Sequence, residues 1–168
     1  MTQIYTGEGK GKTTAALGLI IRMLGYKKKV CLIQFMKKNV EYGEIRFLSE
    51  CEGIDIFQYG TDKLIEPGKP KEIDLDEARK AIDRAKRVIA GEEYDLIVLD
   101  EINVAVAWGL LKLEEQLELF DIESRSEIVM TGRGAHPEVI ERADLASEMK
   151  EIKHYYQKGV IARKGIEY

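Results

Sequence analysis

The sequence is poor in the features that would mark a secreted, membrane-spanning or duplex-binding protein. Its 168 residues include only two cysteines, Cys31 inside an apolar run and Cys51 two residues before a glycine. Neither a disulfide framework nor a paired-cysteine zinc knuckle can be built from them. Three prolines and the absence of any low-complexity tract leave nothing that reads as a linker or a disordered stretch. No apolar run approaches the roughly 18 residues of a membrane-spanning helix. The start, Met1-Thr2-Gln3-Ile4-Tyr5, lacks the basic segment leading into an apolar one that marks an export signal. A cytoplasmic protein without a membrane partner is therefore expected. Lys and Arg total 26 against 30 Asp and Glu, a formal net charge of -4. With a pI near 5.4 the strongly basic face of a nucleic-acid-binding protein is not in evidence. Histidine occurs only at His136 and His154, and no Ser-His or Cys-His pair is present, so chemistry resting on a protein-borne general base has few candidates.

What is present fits one domain spanning residues 1–168, 45% hydrophobic and 33% charged. Short apolar runs ending in loops alternate with longer segments of helical period, the pattern of an α/β sheet with helical crossovers. The expected strands are residues 3–6, 30–35, 54–59, 94–100 and 127–131. Several, notably Leu96-Ile97-Val98-Leu99, are continuous rather than alternating, which suits a parallel strand covered on both faces. A first helix is expected from the loop after residue 6 through Ala15, Ala16, Leu17 and Leu19 to about Leu24, with Gly25 as its C-cap. A second is expected to begin at Asp74, with Asp74 capping and Glu77 reaching back, and to run through Ala78, Ile82, Ala85 and Ile89 to Gly91. Shorter helices are expected after Lys112, with Leu113, Leu117 and Phe120 on one face, and after His136, where Pro137 suits a first turn. Residues 148–168 read as a last strand, a turn and a closing segment.

The strongest local signal is Gly7-Glu8-Gly9-Lys10-Gly11-Lys12-Thr13-Thr14, lying between the first strand and the first helix. Glycines let a backbone fold around an anion with its N–H groups pointing inward, and the helix N-terminus adds the positive end of its dipole. Lys12 then offers a full charge to the phosphates and Thr13 a hydroxyl to Mg²⁺. The usual phosphate loop has four residues between its first Gly and the Gly-Lys pair. Gly7 and Gly11 enclose three, and Thr6 stands where the ordinary first Gly would be. A loop shortened in this way still suits phosphate but need not hold a triphosphate in the usual register. The second element is Asp100-Glu101, two carboxylates delivered by an apolar strand to the edge where ligands bind in open α/β sheets. With the phosphate loop beside them they are candidate metal ligands. Thr131-Gly132-Arg133-Gly134 comes after the next strand and should surface on the same rim, where Arg133 can grip phosphate.

With these blocks in order, the chain resembles the P-loop family of ATP:corrinoid adenosyltransferases over nearly its whole length. The blocks that carry the resemblance are the shortened loop, Leu99-Asp100-Glu101-Ile102-Asn103, Thr131-Gly132-Arg133-Gly134, and a closing stretch. That stretch comprises Ala143-Asp144, Glu148-Met149, Ile152-Lys153-His154 and Gly165-Ile166-Glu167-Tyr168. The resemblance implies a P-loop NTPase-like, recombinase-type, mostly parallel sheet and a homodimer. It implies transfer of the 5′-deoxyadenosyl group of ATP to the cobalt of cob(I)alamin or a cob(I)yrinic acid derivative, with release of triphosphate. An electron-donor protein such as a flavodoxin is the implied partner. ATP is expected in the sense opposite to most P-loop enzymes, its ribose 5′ carbon toward the acceptor. Gly7, Glu8, Gly9, Lys10, Gly11, Lys12, Thr13 and Thr14 would hold it together with Arg133. Thr13, Glu101 and Asp100 would serve Mg²⁺, with Lys12 and Glu101 as the catalytic residues.

Two features depart from that family. Members from some enteric bacteria carry an N-terminal extension thought to cover the neighbouring subunit's corrinoid site, whereas here the first strand starts almost at Met1, so closure is expected by other means. Those members also place a Phe and a Trp beneath the corrin ring, where this chain reads Phe57-Gln58-Tyr59-Gly60-Thr61, leaving Phe57 and Tyr59 as the nearest substitutes. Trp108, the sole tryptophan, is expected to pack in the core. Two other readings share the loop and acid pair: a small P-loop kinase, which would yield ADP, and an ATP-switched binding subunit without turnover.

Overall fold

The apolar runs become parallel strands because helices cover both of their faces. The computed structural model describes residues 1–38, 41–61 and 65–168. Its strands are β1 (Thr2–Thr6), β2 (Val30–Gln34), β3 (Ile54–Gln58), β4 (Leu96–Asp100), β5 (Glu127–Thr131) and β6 (Leu145–Glu148). They form one sheet in the order β3-β2-β4-β5-β1-β6, every neighbouring pair parallel. The sheet is thus wholly parallel rather than mostly so. Every residue of β2 and β4 is buried.

On one face, Ala16 and Ile20 of α1 (Lys12–Gly25) and Ile45 and Leu48 of α2 (Gly43–Leu48) pack on Val30, Leu32, Leu96, Val98 and Val129. On the other, Ala78, Ile82 and Ile89 of α3 (Glu72–Ala90) pack on Cys31, Ile33, Ile97 and Leu99. They are joined there by α4 (Ile102–Ala107), residues just past α5 (Leu113–Leu117), and α6 (Pro137–Arg142). Among the described residues no helix is long and apolar enough to cross a membrane.

Four local expectations need correction. Gly25 is the last helical residue of α1 rather than its cap. The reversal is made by Lys27, at φ 57, with Lys27 N donating to Leu24 O and Lys28 N to Met23 O, the hydrogen-bond pattern usually closed by glycine. α3 starts at Glu72, ahead of Asp74, because Asp74 sits in its first turn and its carboxylate reaches back to accept from Lys71 N at 2.9 Å. Glu77 instead accepts from Gly60 N and Lys80 Nζ. The last strand ends at Glu148, where it was expected to begin, and residues 149–168 hold a 3₁₀ turn at Tyr155–Lys158 among loops. β6 is an edge strand with exposed side chains, held to β1 by its backbone, so no apolar signal betrays it.

Because all strands run the same way, their C-terminal ends share a rim. Register places Gln34 beside Asp100 and Tyr5 beside Thr131 there, which brings the phosphate loop, the acid pair and the Arg133 loop to one edge.

Candidate active site

The phosphate loop leaves β1 and turns into α1 through left-handed glycines, Gly7 at φ 94 and Gly11 at φ 124. Its rear packs against the chain leaving β6. Gly9 N donates to Met149 O at 2.5 Å, and a Cβ on either Gly7 or Gly9 would lie 2.6 Å from that same oxygen. The two glycines thus permit a backbone contact that no other residue allows. Lys12 is buried and folds back into the loop, donating to Gly7 O at 2.6 Å and Gly9 O at 2.8 Å. Burial lowers its pKa, and the nearby Arg133 charge lowers it further. Lys10 points elsewhere: its ammonium donates to Tyr155 Oη, Ile166 O and Glu167 Oε1 at 2.7–3.0 Å, while Tyr155 itself donates to Glu167.

Asp100, wholly buried at the end of β4, is the hub of the rim. Its Oδ1 accepts from Thr13 Oγ1 at 2.9 Å and Thr131 Oγ1 at 2.7 Å. Its Oδ2 accepts from Gln34 Nε2 at 3.0 Å and Lys37 Nζ at 2.7 Å. Burial pushes the Asp100 carboxyl up, but the Lys37 ammonium and the hydroxyl donors outweigh it and hold the group below the usual carboxylate range. Glu101 goes the other way. Burial raises it, and the neighbouring Asp100 charge adds to this against the pull of Lys37 and Lys12. Its backbone is left-handed at φ 68, an unfavourable conformation for a glutamate, and its N–H donates to Thr131 Oγ1 at 3.0 Å. The side chain is 25% exposed and meets Lys37 Nζ at 3.6 Å.

Among the described residues no three His, Cys, Asp or Glu side chains converge as a metal cage. A hydroxyl and a carboxylate beside a phosphate loop nonetheless suit Mg²⁺, which keeps waters and takes phosphate oxygens alongside few protein ligands. The Lys37 ammonium, lying between both carboxylates, marks that position as one where a cation is stable.

Arg133 is exposed and pairs with Glu8 at 3.4 Å across the mouth of the loop. Its own loop is fixed from below. Gly132, at φ 129, would place a Cβ 2.9 Å from Val104 N, Asn103 Nδ2 donates to Gly132 O, and Gln116 Nε2 donates to Asn103 Oδ1 at 2.8 Å. Thr6, in the place of the ordinary first glycine, accepts from Ala135 N at 3.2 Å and so ties β1 to this loop.

The sequence-derived candidates Lys12, Thr13, Asp100, Glu101 and Arg133 therefore come together. Phe57 and Tyr59 lie at the end of edge strand β3, where both engage Arg84 of α3: the guanidinium stands 4.4 Å from the Phe57 ring centre and Nε donates to Tyr59 Oη at 3.2 Å. Trp108 packs against the core. Both histidines serve as local caps, His136 Nδ1 accepting from Glu138 N and His154 Nδ1 from Tyr156 N. Sequence reasoning missed Gln34 and Lys37. The signal that could have found them is topological: strand β2 pairs with β4, so the C-terminal end of β2 and the residues just beyond it must face Asp100.

Comparisons with known proteins identify the family of the chain. The family model for ATP:corrinoid adenosyltransferase BtuR/CobO/CobP matches residues 1–168. The chain is 37% identical to the corrinoid adenosyltransferase of Escherichia coli K12 over 98% of its own length and 84% of that protein's. It is 36% identical to corrinoid adenosyltransferase CobA of Salmonella typhimurium, with the same coverage. It is 34% identical to the corrinoid adenosyltransferase of Pseudomonas aeruginosa, covering 98% and 82%. Among solved structures, the flagellar accessory protein FlaH of Methanocaldococcus jannaschii superposes with a TM-score of 0.57 at 15% identity, over 88% of this chain and 69% of that one. That likeness speaks for the fold alone.

Proposed function

The chain belongs to the ATP:corrinoid adenosyltransferase BtuR/CobO/CobP family, and from that premise we propose how its residues divide the work. The reaction moves the 5′-deoxyadenosyl group of ATP to the cobalt of a reduced corrinoid, cob(I)alamin or a cob(I)yrinic acid derivative, and releases triphosphate, in adenosylcobalamin biosynthesis and salvage. The observation that carries the residue assignment is the convergence of Lys12, Thr13 and the acid pair on one rim. Reduced cobalt is itself a strong nucleophile, so the substrate brings the hard chemistry and the protein supplies orientation and charge. Cobalt attacks the 5′ carbon, the carbon–oxygen bond breaks, and the polyphosphate leaves with the electron pair. No general base is needed, in keeping with histidines committed to capping.

Lys12 leaves the loop carbonyls for the phosphates and neutralises the leaving group, aided by Arg133 and by the loop amides from Gly7 to Thr14 other than Gly9, whose N–H is engaged by Met149 O. Thr13 and Glu101 would hold Mg²⁺, and Asp100, its oxygens taken up by four donors, fixes Thr13 from behind. Bound there, Mg²⁺ would screen charge on the departing triphosphate. The short loop turns ATP so that its 5′ carbon faces the corrinoid, with Phe57 and Tyr59, both engaged by Arg84, as the nearest substitutes for the family's aromatic floor. A homodimer and a flavodoxin-like electron donor complete the reading.

The test is the size of the product. With γ-labelled ATP and chemically reduced corrinoid under anaerobic conditions, label should appear as triphosphate in step with the adenosylated corrinoid. Corrinoid-independent ADP would overturn the assignment in favour of a kinase.

A further inference from the structure

Lys37 is held at the acid pair by more than its own charge. The chain kinks at Met36, at φ 57, directly after buried Phe35. Lys37 N then donates to Tyr59 O at 3.0 Å, and Gly60 packs so closely that a Cβ there would lie 2.7 Å from Met36 C. A strained residue and a glycine-only contact together aim this backbone inward. Its ammonium ends 2.7 Å from Asp100 Oδ2 and 3.6 Å from Glu101 Oε1, in a side chain only 22% exposed. A hard divalent ion held by Thr13 and Glu101 would lie beside the same pair of carboxylates, and two cations cannot share that place at such range without strong repulsion.

We infer that Lys37 is an internal counter-ion that occupies the metal position in the nucleotide-free protein and makes metal loading conditional on the triphosphate. The inference rests on the proposed metal role of Thr13 and Glu101. Lysine suits this task because its charge sits on a flexible stem: the backbone stays pinned while the ammonium swings to a phosphate oxygen. The arriving polyphosphate thus draws Lys37 off the carboxylates and brings the divalent ion that replaces it. Metal and nucleotide then bind as a unit, and the free protein keeps its buried Asp100 paired.

Mn²⁺ binding to the full chain, read from the electron paramagnetic resonance signal of the free ion, tests this without measuring turnover. Wild type alone should bind Mn²⁺ weakly. Lys37→Gln should bind it about tenfold more tightly or better, since a unit charge next to the ion has been removed. Lys37→Arg should behave as wild type, and adding Glu101→Gln to Lys37→Gln should erase the gain. With ATP present, Mn²⁺ bound beyond what the same ATP chelates without protein should be high for wild type and low for Glu101→Gln. If ATP-dependent binding ignores Glu101, the metal assignment falls. If that binding needs Glu101 yet Lys37→Gln shows no gain, the Lys37 inference alone falls. Should Lys37→Gln not fold, because a buried carboxylate has lost its partner, wild type still decides: Mn²⁺ bound as tightly without ATP as with it overturns the inference.

Discussion

Two tasks fall to the Lys12 ammonium in the proposed reading. It braces the carbonyls of Gly7 and Gly9, and in the proposed reaction it would be the main protein cation for the leaving group. Lys12→Ala should therefore keep its far-ultraviolet circular dichroism but lose about 3 kcal/mol of transition-state stabilisation, roughly a hundredfold in kcat/KM. A near-normal rate would take the loop out of the mechanism. For Glu101→Gln, shape is preserved and a hard-cation ligand is weakened, so the rate deficit should shrink as Mg²⁺ is raised. A deficit indifferent to Mg²⁺ would move the ligand role elsewhere. Asp100 makes a statement about pH. Its folded pKa is depressed, so its contribution to stability is complete above the ordinary carboxylate range and is lost as pH falls through the folded value. The stability gap between wild type and Asp100→Asn in denaturant titrations should be widest at neutral pH and close progressively below about pH 4. A gap that does not change with pH would mean that Asp100 is not the buried anion described.

At the scale of elements, the phosphate loop contains glycines required for different reasons. Gly9 carries no unusual torsion, but a methyl there meets Met149 O; Gly11 has nothing within 4 Å of its would-be Cβ yet sits at φ 124. Each alanine variant should cost about 1–3 kcal/mol, the first by overpacking and the second by backbone strain. Hydrogen exchange separates them: the Gly9 amide should lose protection in Gly9→Ala and largely keep it in Gly11→Ala. The same elements show what a sequence can reveal. β2, β4 and β5 were legible because covered parallel strands need unbroken apolar runs, and α1 and α3 because they are long enough to show a period. α2 and α4 were not, since six residues scarcely repeat a helical pattern; α4, Ile-Asn-Val-Ala-Val-Ala, also alternates like a strand and has a left-handed Glu101 in place of a capping side chain. In the site, Lys12, Thr13, Asp100, Glu101 and Arg133 belong to contiguous motifs. Lys37 lies far from Asp100 in sequence, inside a Met-Lys-Lys stretch that reads as a solvated turn, and only the pairing of β2 with β4 brings it in.

Across the whole molecule, the doubly covered sheet makes its central strands the last part to open. Cys31 on β2 has no exposure and burial pushes its thiol up to about 12, whereas Cys51 after α2 is half-buried. One thiol per native chain should thus react promptly with a chromogenic disulfide reagent and the second only in denaturant, so the slow labelling rate reports global opening. Two fast thiols would contradict the covered sheet. The grip of Lys10 on Tyr155, Ile166 and Glu167 has a different consequence, one of thermodynamic reciprocity. Residues 149–168 run from behind the phosphate loop, over Lys10, to Tyr168, whose ring lies 5.9 Å from that of Tyr42 beside α2. Seating of that stretch and occupancy of the loop are therefore linked equilibria: by whatever factor a bound polyphosphate alters the one, fixing the stretch in place must alter polyphosphate affinity. An event at the first turn of the chain becomes readable, by protease or by a dye, at residues more than a hundred positions away.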